Sequence, residues 1–249
     1  MRVNVRIASI SAAVAIASML LAGASHASPP GDRGSTPSVA GDDRRSTRLD
    51  TASSAMPTAE DPTVSDHATS TVHAGRSGSK GVASAVATSD CDGCAATSTT
   101  FQVVYFDAAD AAGSADNSAV AWTSCVDCSS SAVSVQLLIV RDPARLAVNN
   151  RALGVNVACD ACATSATAIQ FVLAGGPKRE LTNRSRDLIS QVEQQLAERL
   201  SGGSADSRQR DESTAYGLAD ESARQLEQII LSDLGGTTMQ RSIDVQVAG

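Results

Sequence analysis

CVDCSSSAVSVQLLIV, residues 125–140, carries the reading of the fold. Two cysteines three apart open it, small residues follow, and an apolar block closes it. One glutamine, Gln136, interrupts that block eleven residues after Cys125. The same order stands 34 residues earlier as CDGCAATSTTFQVVYF (91–106), and 34 residues later as CDACATSATAIQFVLA (159–174). The cysteines Cys91, Cys94, Cys125, Cys128, Cys159 and Cys162 are all the chain has. Gln102, Gln136 and Gln170 share one column, and Thr97, Ser131 and Ser165 share another. Gap-free agreement over this many columns is the signature of a structural repeat.

Each glutamine block predicts a strand: TFQVVYF (100–106), SVQLLIV (134–140) and AIQFVLA (168–174). One alternating set holds Phe101, Val103 and Tyr105 and their equivalents. The other holds the glutamine with Val104 and Phe106, Leu138 and Val140, or Val172. Strands apolar on both sides are usually covered on both sides. A buried glutamine there needs a partner, which a ladder of Gln102, Gln136 and Gln170 would supply. A weaker strand precedes each CxxC, at 83–89, 118–124 and 152–158. The expected arrangement is a small antiparallel sheet of three CxxC-tipped hairpins. A short β-solenoid, with the cysteines stacked along one edge, is the alternative.

After Gly175-Gly176-Pro177 the pattern changes. Thr182 or Asn183 can cap a helix, and Leu188, Val192, Leu196 and Leu200, with Ile189 beside them, give it an apolar stripe ending at Gly202-Gly203. A second helix is expected over about 218–234 with Leu226, Ile229, Ile230 and Leu234, and a last strand over 242–248. The helices are read as covering one face of the sheet. The fold class is therefore α+β: a repeat domain at 81–177 and a helical C-terminal region at 178–249 that ends in the strand.

The N-terminus has a different character. Arg2 and Arg6 precede an apolar run at 7–24, and Ser25-His26-Ala27 offers a cleavage site, so 1–27 is read as a secretory signal peptide. No integral membrane anchor is expected after cleavage. Loss of those two arginines moves the formal charge from −7 to −9, an acidity unsuited to binding nucleic acid. Residues 28–80 lack Phe, Trp, Tyr, Ile and Cys and are rich in Ser, Thr, Gly and Pro, so a disordered linker is expected. His67 and His73 fall in it, and no histidine lies beyond 80. On these boundaries Ser/His/Asp and Cys/His catalysis are closed to the folded part. HExxH is absent throughout.

The cysteines admit three readings. Disulfides suit an exported chain. A bridge within one CxxC is worth about 2 kcal/mol by loop entropy, and one between adjacent repeats about 4 kcal/mol. Spacing does not choose between these pairings. Zinc held by the six thiolates alone is the second reading. Its usual spacer between CxxC pairs is roughly 15–20 residues, against the 30 found here. A thiol-disulfide oxidoreductase is the third, although strands rather than a helix flank the motifs.

CVDCSSSAVSVQLLIV and NVACDACATSATAIQFVLAGGPKREL resemble a repeat of exported proteins of high-GC Gram-positive bacteria. Similar sequences end in charged amphipathic helices after a Gly-Gly/Pro break, and related repeats are attached to membrane zinc metalloproteases. The likeness covers about 85–200. It transfers no catalytic residue, because the His-Glu signature of those proteases is missing. The expectation is a secreted or envelope-associated, non-enzymatic structural or binding protein. It needs no cofactor, its partner is an envelope protein or a second copy of itself, and Gln102, Gln136 and Gln170 are structural.

Overall fold

The structure is a computed structural model, and it describes residues 48–75, 78–106, 113–140, 146–175, 180–201, 211–235 and 238–248. The expected signal peptide at 1–27, and the linker as far as 47, lie outside the described residues. Strands come in pairs along the chain: β1 (Arg48–Ala55) with β2 (Thr63–His73), β3 (Lys80–Ser89) with β4 (Ala95–Phe106), β5 (Gly113–Thr123) with β6 (Ser129–Val140), and β7 (Leu146–Asn156) with β8 (Ala163–Ala174). Within β1 to β8, consecutive strands do not pair with each other. One sheet runs β1-β3-β5-β7 and the other begins β2-β4-β6-β8, with every one of these neighbours parallel.

The result is a short β-solenoid, which corrects the expected antiparallel hairpins. Each CxxC corner carries the chain from one sheet to the other instead of reversing it within one. The parallel register sets like against like: Gln102, Gln136 and Gln170 are successive Cα partners. A β3–β4 hairpin would instead set a small-residue strand against a bulky one and leave an apolar face bare. Strands apolar on both faces are characteristic of covered parallel sheets.

The solenoid also starts earlier than the sequence suggests. β1 and β2 lie inside the stretch read as a disordered linker, so that reading is corrected for 48–75 and 78–80. The inward residues of β1 are Thr51, Ser53 and Ala55, all buried. Their burial comes from neighbouring coils rather than from their own hydrophobicity. Ser53 Oγ lies 2.6 Å from Ser98 Oγ and 2.7 Å from Thr100 Oγ1. The backbone of β1 is laddered onto β3 from Arg48↔Lys80 to Ala55↔Ala87. Small hydroxyl side chains that satisfy one another can occupy a narrow interior at little cost.

Between the sheets the filling changes along the strands. Near the CxxC corners it is alanine, with Ala85, Ala87, Ala119, Ala121, Ala166 and Ala168 among the residues in contact. Near the opposite corners it is larger, with Val104, Phe106, Leu138, Val140 and Val172. The glutamines lie between these layers. Gln136 Nε2 donates to Gln102 Oε1 at 2.7 Å, and Gln170 Nε2 to Gln136 Oε1 at 2.8 Å. Gln102 Nε2 ends the ladder on Leu49 O and Thr51 Oγ1, each at 2.9 Å. Gly81 makes room for it, since a Cβ there would sit 2.9 Å from Val104 Cγ2 and 3.4 Å from Gln102 Oε1.

The other face of the second sheet carries the bulk of the hydrophobic core. Phe101, Val103, Val135, Leu137, Ile169, Phe171 and Leu173 meet α1 (Asn183–Ser201) and α2 (Glu212–Leu234) in one cluster. Thr182 Oγ1 accepts from Ser185 N at 3.3 Å, and Asp211 Oδ1 accepts from Thr214 N at 2.7 Å, so hydroxyl and carboxylate caps start both helices. β9 (Thr238–Ala248) then pairs antiparallel with β8 and closes the end of that sheet. It closes the first sheet with side chains. Asp244 Oδ2 accepts from Ala152 N at 2.7 Å, and Asn150 Nδ2 donates to Ser242 O at 3.2 Å. A Cβ on Gly154 would stand 2.9 Å from Gln246 O, so glycine permits this approach. Among the described residues no helix is long and apolar enough to cross a membrane.

Replacing Gln136 by leucine removes the donor to Gln102 Oε1 and one acceptor of Gln170. We expect a loss of roughly 1–3 kcal/mol in a urea unfolding experiment. An unchanged midpoint would contradict the ladder.

Candidate functional site

The CxxC corners stack on one edge of the solenoid. Residues 95, 129 and 163 are in register, so Cys94, Cys128 and Cys162 hold equivalent places in successive coils. Backbone bonds join the corners to each other. Gly93 N donates to Val126 O at 2.9 Å, Asp127 N to Asp160 O at 2.8 Å, and Ser129 N to Cys94 O at 2.9 Å. Asp92 Oδ1 also accepts from Val126 N at 2.8 Å.

The third residue of every motif has a left-handed backbone: Gly93 at φ 71°, Asp127 at φ 60° and Ala161 at φ 54°. Glycine takes this conformation freely, aspartate tolerates it, and alanine does so at a cost of about 1 kcal/mol. The turn brings the two cysteines of each motif together. Cys91–Cys94, Cys125–Cys128 and Cys159–Cys162 are bonded, with Cα separations of 5.4, 6.0 and 5.9 Å. These separations suit a disulfide. Among the described residues no cysteine is free. Spacing leaves the pairing open, and the turn brings the two sulfurs of each motif to bonding distance.

The first coil has no cysteine at this corner. Thr58 N donates to Asp61 O at 3.0 Å, and Asp61 N donates to Thr58 Oγ1 at 3.2 Å, so hydrogen bonds close the turn instead. Cys94 Sγ turns toward this corner and lies 3.8 Å from Thr58 O. The other two disulfides pack against each other. Cys125, Cys128 and Cys162 are buried together, with the half-buried Cys159 against them. The Sγ atoms of Cys125, Cys128 and Cys162 all lie within 4.8 Å of one another. As thiolates these three, with Cys159 beside them, would form a sulfur-rich donor set suited to a soft or borderline cation such as zinc. As disulfides they have no thiolate to offer. Cys91 and Cys94 stand outside the group.

The glutamines are fully engaged inside the solenoid and reach no open surface; Gln102 and Gln136 are 0 % exposed and Gln170 is 2 %. The described fold does contain histidine, because β2 carries His67 and His73, and this corrects the exclusion of histidine chemistry that a start at 81 implies. His67 Nδ1 lies 2.7 Å from Thr99 Oγ1, and burial lowers its pKa, opposed in part by Asp66. His73 stacks on Tyr105 with ring centroids 4.8 Å apart, and its Nε2 lies 3.1 Å from Glu180 Oε1. Comparison with protein-family models, with curated proteins and with solved structures finds no match.

One buried group escaped the sequence reading. Glu193 is 0 % exposed on the inner face of α1. Neither of its carboxylate oxygens, nor Thr167 Oγ1 on β8, has a hydrogen-bond partner among the described residues. The stripe drawn through Leu188, Val192, Leu196 and Leu200 steps by four each time and drifts round a helix of 3.6 residues per turn. The buried set Ser185, Ile189, Glu193, Leu196, Ala197 and Leu200 follows the true period, and Leu188 is 39 % exposed. Burial pushes the Glu193 carboxyl well above its ordinary value of 4.5, so the protonated acid is the form the fold accepts.

Two outcomes follow for stability. Folded protein holds the Glu193 proton that unfolded chain releases above its ordinary value. Its contribution is therefore complete at low pH and is lost as pH rises past that value. Glu193→Gln should melt higher than wild type, with the gap widening from about pH 5 to about pH 8; a constant gap would speak against a buried acid. Ala161→Gly should raise stability by about 1 kcal/mol, read as a higher urea midpoint with all three disulfides intact.

Proposed function

We propose that this is an exported, non-enzymatic protein that does structural or binding work at the cell envelope. The observation that carries the reading is the stack of local disulfides at one corner of the solenoid. Disulfides persist in oxidising compartments, whereas cytosolic thiols are kept reduced. Each bridge fixes a turn that must present the next strand in register. A row of such turns suits a staple better than a catalytic dithiol, whose reactive sulfur is normally exposed and acidic. The reading agrees with the signal-like 1–27 and with the acidity of the chain.

The binding part of the proposal rests on the outer face of the first sheet. Val86, Val120 and Leu153 form one row across β3, β5 and β7, and Trp122 with Val155 forms the next. Leu153 is 48 % exposed, in contrast to the helix-covered face of the other sheet. An apolar partner at the envelope, or a second copy of this chain, is the kind of surface such rows accept.

A second reading, a zinc protein with cysteine-only coordination, is favoured by the convergence of Cys125, Cys128 and Cys162. It requires these sulfurs to be reduced. The discriminating measurement is mass spectrometry of protein isolated from its producing cells, alkylated with and without prior reduction. We expect no alkylation before reduction, three bridges each within one CxxC, and an N-terminal peptide beginning at residue 28. Six alkylated thiols with stoichiometric zinc would overturn the first reading in favour of the second.

A further inference from the structure

The geometry points to a thiol–disulfide exchange site in the third and fourth coils, opened by a dithiol and converting two local bridges into one bridge between coils. This goes beyond the proposed role as a staple and does not depend on where the protein acts. Cys128 and Cys162 occupy equivalent positions of hydrogen-bonded parallel strands, directly before the register pair Ser129↔Ala163. Such positions lie about 4.8 Å apart, within the Cα range that a disulfide spans. Their sulfurs already touch: Cys128 Sγ and Cys162 Sγ are 3.3 Å apart without being bonded to each other. Cys94 and Cys128 are related by the same register, yet Cys94 is turned toward Thr58 and lies outside the sulfur cluster. Exchange is therefore confined to one pair of coils.

The route follows from exposure. Cys125, Cys128 and Cys162 are buried, while Cys159 is only partly so. A thiolate of the external dithiol attacks Cys159 Sγ, the Cys159–Cys162 bond breaks, and Cys162 leaves as a thiolate. That thiolate attacks Cys128 Sγ at contact distance. The Cys128–Cys162 bond forms, the Cys125–Cys128 bond breaks, and Cys125 leaves as a thiolate and takes up a proton. The second thiol of the reagent then attacks its own sulfur in the mixed disulfide, freeing Cys159 and leaving the reagent as its disulfide. Two electrons pass from the dithiol to the protein. The protein loses one disulfide in net and keeps Cys128–Cys162, with Cys125 and Cys159 as thiols. The product bridge closes 34 residues in place of 3, so it removes more freedom from the unfolded chain. It clamps the third coil to the fourth.

Trypsin reads the change directly. Lys80, Arg141, Arg151 and Lys178 bound two peptides, 81–141 and 152–178, which share no bond when each bridge is local. The full chain, with native disulfides, is treated with one equivalent of dithiothreitol near neutral pH, quenched in acid, alkylated in denaturant and digested. In the two-electron-reduced protein we expect the two peptides to be linked, with Cys125 and Cys159 alkylated. Separate peptides, with Cys159 and Cys162 alkylated or with Cys91 and Cys94 alkylated, would overturn the proposal. Cys159→Ser supplies the same test without reductant, because it leaves Cys162 as a permanent thiol. In folded variant protein we expect the linked peptides and a free Cys125. A free Cys162 beside an intact Cys125–Cys128 bridge would be the contrary result.

Discussion

Parallel, in-register stacking of equal coils is the constraint on which the rest of this structure depends. Each residue of one coil sits beside its own counterpart in the next, at the spacing of hydrogen-bonded strands. A side chain must therefore tolerate a copy of its own kind as nearest neighbour. Alanine does so by being small, valine and leucine by packing, and glutamine by presenting a donor to one neighbour and an acceptor to the other. The ladder from Gln170 through Gln136 to Gln102 needs a terminal acceptor, and the first coil provides it at Leu49 and Thr51. The stacked disulfides obey the same rule. Two bridges at equivalent positions must touch unless one turns away, and Cys94 is the one that does.

A stack of this kind has two ends and two outer faces, and the C-terminal third of the chain deals with some of them. α1 and α2 cover the bulky face of the second sheet. β9 adds a backbone ladder to that sheet and offers Asp244 and Gln246 to the free amides of β7. One strand thus finishes two sheets. The burial of Glu193 belongs to the same covering layer. An acid with no hydrogen-bond partner among the described residues makes that layer less stable at neutral pH than an amide would, by the proton linkage that burial imposes.

Much of the repeat could be read from residues alone. The 34-residue period, the glutamine column, the strand blocks, both helices and the last strand all have direct sequence signals. The first coil did not, because its inward residues are Thr51, Ser53 and Ala55, indistinguishable in composition from a linker. Its trace is an alignment at an offset of 32, of β1 with β3 and of β2 with β4. The helix stripe holds at Ile189, Leu196 and Leu200 and departs at Leu188 and Glu193, since a leucine looks like core and a glutamate does not. At the cysteine corner the residues were plain in the sequence, and their partners were not.

By itself the sequence determined that three equivalent units exist, that each carries a cysteine turn and a glutamine-bearing strand, and that helices follow. Periodicity and residue type are local properties, and they survive without knowledge of the fold. Whether neighbouring strands pair within a unit or between units was decided only by tertiary structure. The same alternation of apolar residues serves a hairpin and a solenoid equally well. What separates them is the matching of side-chain volumes across sheets and between coils. The cysteine partners were decided there too, by a left-handed third residue in each motif that glycine, aspartate and alanine all adopt. No common residue type announces it, because the geometry is imposed by the stack and not by the side chain.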